Sequence, residues 1–71
     1  MVITKQFSSR DDVHRLQDLA NTMSAEVFIR SLDGGITLNV KSPMGIYALD
    51  FTEPVEIVTE SAALIQEIVN W

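Results

Sequence analysis

The 71-residue sequence contains no cysteine and only one histidine. Without cysteine, disulfides and thiolate metal sites are excluded, and the chain is compatible with a reducing compartment. One histidine cannot build a histidine-clustered metal site within one chain. No apolar run approaches the ~20 residues that span a bilayer, and the opening MVITKQF lacks the long apolar core of a signal peptide. We therefore expect a cytoplasmic protein with no membrane insertion and no metal.

Basic residues are also scarce. The chain has five lysines and arginines against ten acids, which gives a net charge of −5. Phosphate backbones require clustered basic side chains, so this scattered set argues against a nucleic-acid partner. Nearly half of the residues are hydrophobic and 21% are charged, which is typical of a folded domain. We expect one small domain, residues 1–71, that buries roughly 60% of its unfolded-state surface.

The first part of the chain predicts a strand, a helix and a hairpin. The β-branched segment Val2–Phe7 predicts a strand, and Ser9 is a weak N-cap for a helix ending near Met23 or Ser24. Strands over Glu26–Leu32 and Ile36–Lys41 are joined by a tight Asp-Gly turn, which favours a hairpin. The predicted apolar stripe of the helix is Val13, Leu16, Leu19, Ala20 and Met23, and the buried face of the second hairpin strand is Ile36, Leu38 and Val40.

The second part predicts two helices around a fourth strand. Ser42 can cap a short helix over Met44–Leu49, with Pro43 at its first position. Pro54–Glu60 predicts a strand, and Ser61 caps a last helix. The predicted apolar face of that helix is Leu64, Ile65, Ile68, Val69 and Trp71. The order β-α-β-β-α-β-α predicts an α+β two-layer sandwich: an antiparallel four-stranded sheet with the helices on one face.

The segment KSPMGIYAL, residues 41–49, resembles the Lys-Ser-hydrophobic-Met-Gly-hydrophobic signature around the regulatory serine of HPr. HPr is the small phosphocarrier of the bacterial phosphoenolpyruvate-dependent sugar phosphotransferase system. The LDGG turn, residues 32–35, stands where the family has a turn with Asn-Gly, and the predicted element order is similar to the HPr open-faced β-sandwich. The resemblance implies a divergent, short HPr-like domain without a cofactor.

In the family, a Gly-Ile-His-Ala-Arg-Pro motif carries the phosphorylatable histidine. Val13-His14 resembles its Ile-His pair, and Arg15 could stand for its arginine, although the glycine and proline are absent. A second alignment, made backward from the helix stripe, puts Asp12 at the phosphoacceptor position. The resemblance thus implies His14 as phosphoacceptor and Arg15 as its support in the first alignment only.

Charge and helix position bear on the choice between these alignments. A phosphoryl group on histidine is best stabilised at a helix N-terminus, where backbone N–H groups are unused. If Ser9 is the cap, His14 lies beyond the first turn, and Asp11, Asp12 and Asp18 would repel phosphate. The alternative is an exposed helix histidine beside a carboxylate.

The resemblance also implies a regulatory phosphosite at Ser42. A predicted helix N-terminus there would accommodate phosphate, whereas the simpler interpretation is that Ser42 is an N-cap alone. Met44 and Tyr47 resemble the exposed partner-contacting patch of the family. Their i, i+3 spacing fits a buried face equally well.

Three functions follow as hypotheses. The first is an HPr-like phosphocarrier or regulatory component of the sugar phosphotransferase system, with phosphotransfer through His14. Its implied partners are the general phosphotransferase and the sugar-specific components, or a kinase or regulator. The second is a degenerate HPr-like domain that binds proteins and no longer transfers phosphate. The third is an interaction domain with unrelated partners. In none of them is the chain a stand-alone enzyme.

Overall fold

The computed structural model describes residues 1–42 and 53–71. The predicted short helix over Met44–Leu49 lies outside these residues. The described elements are β1 (Val2–Lys5), α1 (Arg10–Asn21), β2 (Val27–Ser31), β3 (Thr37–Asn39), β4 (Val55–Thr59) and α2 (Ala62–Val69). All four predicted strands are present, each shorter than the sequence pattern indicated.

The strands form one sheet in the order β1-β4-β2-β3, with every neighbouring pair antiparallel. This confirms the predicted α+β class and the antiparallel four-stranded sheet. The first strand, β1, lies at one edge of the sheet, and the last strand, β4, lies at a central position. Because β4 lies between β1 and β2, it carries buried side chains at alternate positions along its whole length.

The two faces of the sheet differ in polarity because side chains alternate along each strand. On one face, Ile29 of β2 lies opposite Ile57 of β4, and both are fully buried. Leu16 of α1 and Leu64 of α2 belong to the same core, so both helices cover this face. The opposite face carries Arg30 beside Glu56 at 3.0 Å, a cross-strand ion pair. This arrangement fits a two-layer α+β fold.

Helix α1 begins where the sequence predicted, with Ser9 in extended conformation as the N-cap residue. The Ser9 side chain makes no cap bond, and the neighbouring Ser8 Oγ instead donates to Asp12 Oδ2 at 2.7 Å. The helix ends at Asn21, two or three residues earlier than predicted. Of the predicted stripe, Val13, Leu16 and Ala20 are buried, and Leu19 and Met23 are partly buried against the core.

The predicted β2–β3 hairpin is confirmed. Gly34 has a φ of 76°, which glycine adopts at little steric cost, and its N–H donates to the Ser31 carbonyl at 2.9 Å. Asp33 Oδ1 accepts from the Ser31 hydroxyl at 2.6 Å and from the Gly35 N–H at 2.8 Å. The prediction that Ile36 is buried is wrong: its side chain is 39% exposed, because it lies one residue before the edge strand β3, next to the turn.

Helix α2 begins with the predicted cap, since Ser61 Oγ accepts from the Leu64 N–H at 3.1 Å. Leu64 and Ile68 are buried, as predicted. Val69, also predicted to be on the apolar face, is 55% exposed. Successive helical residues are about 100° apart, which turns Val69 about 140° away from Leu64. Trp71 beyond the helix is half-buried against the core.

Candidate functional site

His14 is the fifth residue of α1 and is exposed. In a regular helix the backbone N–H of that residue is already used in the i→i−4 pattern, so it does not belong to the open N-terminal turn. The first turn itself carries Asp11 and Asp12. On its face of α1, His14 has Arg10 and Asp11 one turn before it and Asp18 one turn after it. Carboxylates therefore outnumber cations there, and the backbone donors that could bind an added phosphate lie a turn away.

Arg15 lies against the ring of Trp71, with its Cζ 4.3 Å from the ring centroid. This is cation–π geometry. The Trp71 carbonyl also accepts from Lys5 Nζ at 2.8 Å. Trp71 thus contacts two cationic side chains, Arg15 of α1 and Lys5 at the end of β1. Arg15 would have to leave this ring in order to reach a group on His14.

Ser42 is half-buried and ends a turn, because its N–H donates to the Asn39 carbonyl at 3.0 Å. Its own carbonyl accepts from Gln17 Nε2 at 2.9 Å, and the same amide donates to the Val40 carbonyl at 3.2 Å. Gln17 follows His14 by three residues, so both lie on one side of α1. The structure therefore brings the Ser42 backbone to the side of α1 that carries His14.

Gln17 is the residue of this region that sequence reasoning missed. It lies between apolar stripe positions of α1 and belongs to no motif. Its partners are 23 and 25 residues away, and no periodic pattern signals such a contact. The available signal was that Gln17 is a polar residue next to Leu16, a predicted buried position of the stripe.

Met44 and Tyr47, the predicted partner-contacting pair, lie outside the described residues, and so do the residues that Ser42 was predicted to cap. Their roles stay predictions. The described part of the site thus consists of His14, Arg15 and Ser42.

Within residues 1–42 and 53–71, no group of three or more His, Cys, Asp or Glu could hold a metal ion. Neither of the two helices in these ranges is long and apolar enough to cross a membrane. The described site therefore consists of one imidazole, a stacked guanidinium and a serine turn tied to α1.

No family model, curated protein or solved structure matches this chain. What the fold defines is a small α+β domain with a four-stranded antiparallel sheet and, in its described part, two helices.

Proposed function

We propose that this chain is an HPr-like regulatory module that binds other proteins through α1 and the Ser42 turn, without carrying phosphate on His14. The observation that supports the loss of phosphotransfer is the position of His14, the fifth residue of a helix whose first turn carries two aspartates. The HPr-like assignment itself rests on the KSPMGIYAL segment and on the element order. A cytoplasmic location and partners from the sugar phosphotransferase system belong to the same proposal.

The proposed binding surface combines His14, Gln17 and Ser42. Gln17 Nε2 ties the Ser42 turn to α1 through two carbonyls, so this surface is pre-organised and loses little conformational freedom on binding. Ser42 lies at its rim, half-buried. A phosphate added there would place about two negative charges beside the acidic side of α1, which would repel the turn from the helix.

The second candidate function is phosphoryl transfer, and the exposure of His14 favours it. An exposed imidazole is accessible to a phosphorylated donor protein, and Arg15 follows it directly in the chain. Two features weigh against this candidate. The carboxylates of the first turn oppose phosphate on His14, and Arg15 is stacked on Trp71.

Intact mass distinguishes the two candidates. The wild type and a His14→Ala variant are incubated with phosphoenolpyruvate and the general phosphotransferase of the system. We expect no acid-labile gain in mass for either chain. A gain of one phosphate in the wild type that is lost in His14→Ala would establish the phosphocarrier and overturn the proposal.

Binding itself is tested by titrating ¹⁵N-labelled protein with the unphosphorylated general phosphotransferase. We expect the amide signals of His14, Gln17 and Ser42 to shift or broaden, and Gln17→Ala to weaken the effect because it releases the Ser42 turn. Glu53→Gln, which replaces an exposed carboxylate at the opposite end of the sheet, is the control. An unchanged spectrum would leave the chain as an interaction domain with unrelated partners.

A further inference from the structure

A second surface lies at the other end of the sheet. A groove of about 320 Å³ opens beside the β2–β3 hairpin and the start of β4. Val27, near the Ser42 turn, and Ser31, at this groove, are four residues apart on β2, which is roughly 13 Å along a strand. The described residues that line the groove are Ser31, Leu32, Asp33, Ile36, Glu53, Pro54 and Val55.

Two apolar residues of the groove wall are exposed. Leu32 is 56% exposed and Ile36 39% exposed, and they are two of the five large hydrophobic residues exposed in the described ranges. Pro54 and Val55 complete the apolar lining. The volume is near the lower limit of ligand pockets, about 300 Å³, so the groove suits one or two side chains of a partner better than a large cofactor.

Two carboxylates give the groove its charge. Asp33 is fixed in place, because its Oδ1 accepts from the Ser31 hydroxyl and the Gly35 N–H. These hydrogen bonds also lower the pKa of Asp33 below its ordinary value. Glu53 is the second carboxylate of the lining. Arg30, next to Ser31 on β2, alternates to the opposite face of the sheet and pairs with Glu56 there.

We propose that this groove binds a segment of a partner protein that presents a lysine or arginine next to an aliphatic residue. The long hydrocarbon stem of a basic side chain packs on apolar walls while its charged tip reaches carboxylates. The aliphatic neighbour covers Leu32 and Ile36. The net charge of −5 favours approach of a cationic segment over an anionic one. This inference does not depend on the function proposed for the Ser42 side.

The test is a ¹⁵N titration with two short blocked peptides, acetyl-Leu-Arg-Leu-amide and acetyl-Leu-Glu-Leu-amide. We expect the arginine peptide to give saturable shifts at the amides of residues 31–36 and 53–55, and the glutamate peptide to give none. About 0.5 M NaCl should weaken the arginine peptide, since salt screens exposed charge pairs. Equal shifts with both peptides, shifts mapping elsewhere, or no saturation would overturn the proposal.

Substitutions separate the contribution of charge to peptide binding from that of apolar contact. Glu53→Gln keeps the size of the side chain and removes its charge, and it should weaken the arginine peptide about two- to fivefold, the range of an exposed ion pair. Leu32→Ala should weaken it through lost apolar contact. Glu60→Gln changes the net charge equally but lies at the far end of β4, and it should leave the affinity unchanged. An equal loss in Glu60→Gln would show only a general charge effect and would also overturn the proposal.

Discussion

Replacing Gln17 with alanine removes the described link between α1 and the Ser42 turn. The two hydrogen bonds are 2.9 Å and 3.2 Å long, and each such bond contributes about 0.5–1.5 kcal/mol. The longer one is the weaker, and alanine returns a few tenths of a kcal/mol through its helix propensity. We expect Gln17→Ala to lower the free energy of unfolding by about 1–2 kcal/mol.

The measurement is urea unfolding followed by circular dichroism, with the melting temperature as a second readout. One kcal/mol corresponds to about 4–8 °C in a domain of this size. Asp18→Ala, the next and exposed residue of α1, is the matched control for helix propensity. Ser42→Ala should leave the link intact, because Gln17 binds a backbone carbonyl. If Gln17→Ala and Asp18→Ala unfold at the same urea concentration, the link does not exist in solution.

Three further predictions concern the hairpin and the Trp71 contact. Gly34→Ala should cost about 1 kcal/mol in urea unfolding, because alanine is disfavoured at φ 76°. Gly35→Ala should cost less, since its Cβ would only press on Asp33 Oδ1 at 3.2 Å; an equal loss for both would contradict this account. Arg15→Ala should lower the free energy of unfolding by about 0.5–1 kcal/mol and change the fluorescence of Trp71, the single tryptophan. An unchanged fluorescence spectrum would mean that the stacking is absent. Hydrogen bonds lower the pKa of Asp33 from its ordinary value of 3.8. The stability that ionised Asp33 gives the fold is therefore complete above the unfolded-state pKa and is lost as pH falls through the folded-state pKa. Asp33→Asn should flatten the dependence of stability on pH in that window, and a pKa at or above the ordinary value in a carboxyl ¹³C titration would contradict the assignment.

The elements that local chemistry determines could be predicted from sequence. The Asp33-Gly34 turn places glycine at the one position in the hairpin with positive φ, and Ser61 caps α2 as serine does in isolated helices. Periodicity also identified the α1 residues Leu16 and Ala20 as buried. In each case the cause acts within a few residues.

Long-range contacts could not be predicted in this way. Arg15 and Trp71 are far apart in sequence, and nothing local indicates that the ring lies under the guanidinium. Periodicity places Ile36 and Val69 on apolar faces, but it does not tell whether another element covers these positions. The position of His14 in α1 followed from the Ser9 cap, but its relation to Ser42 required Gln17, which no motif identifies.

The strand order has a consequence for how the chain folds. Among the described strands, β1 hydrogen-bonds only to β4, in a register that sets Val2 opposite Val58. During synthesis the residues of β1, α1 and the β2–β3 hairpin therefore all leave the ribosome before β4 is available to join them in one sheet. Pairing β1 with β4 requires loop closure across most of the chain. This slows folding compared with a sheet built from sequential hairpins. A chain cut before residue 55 would lose the strand that joins β1 to the β2–β3 hairpin.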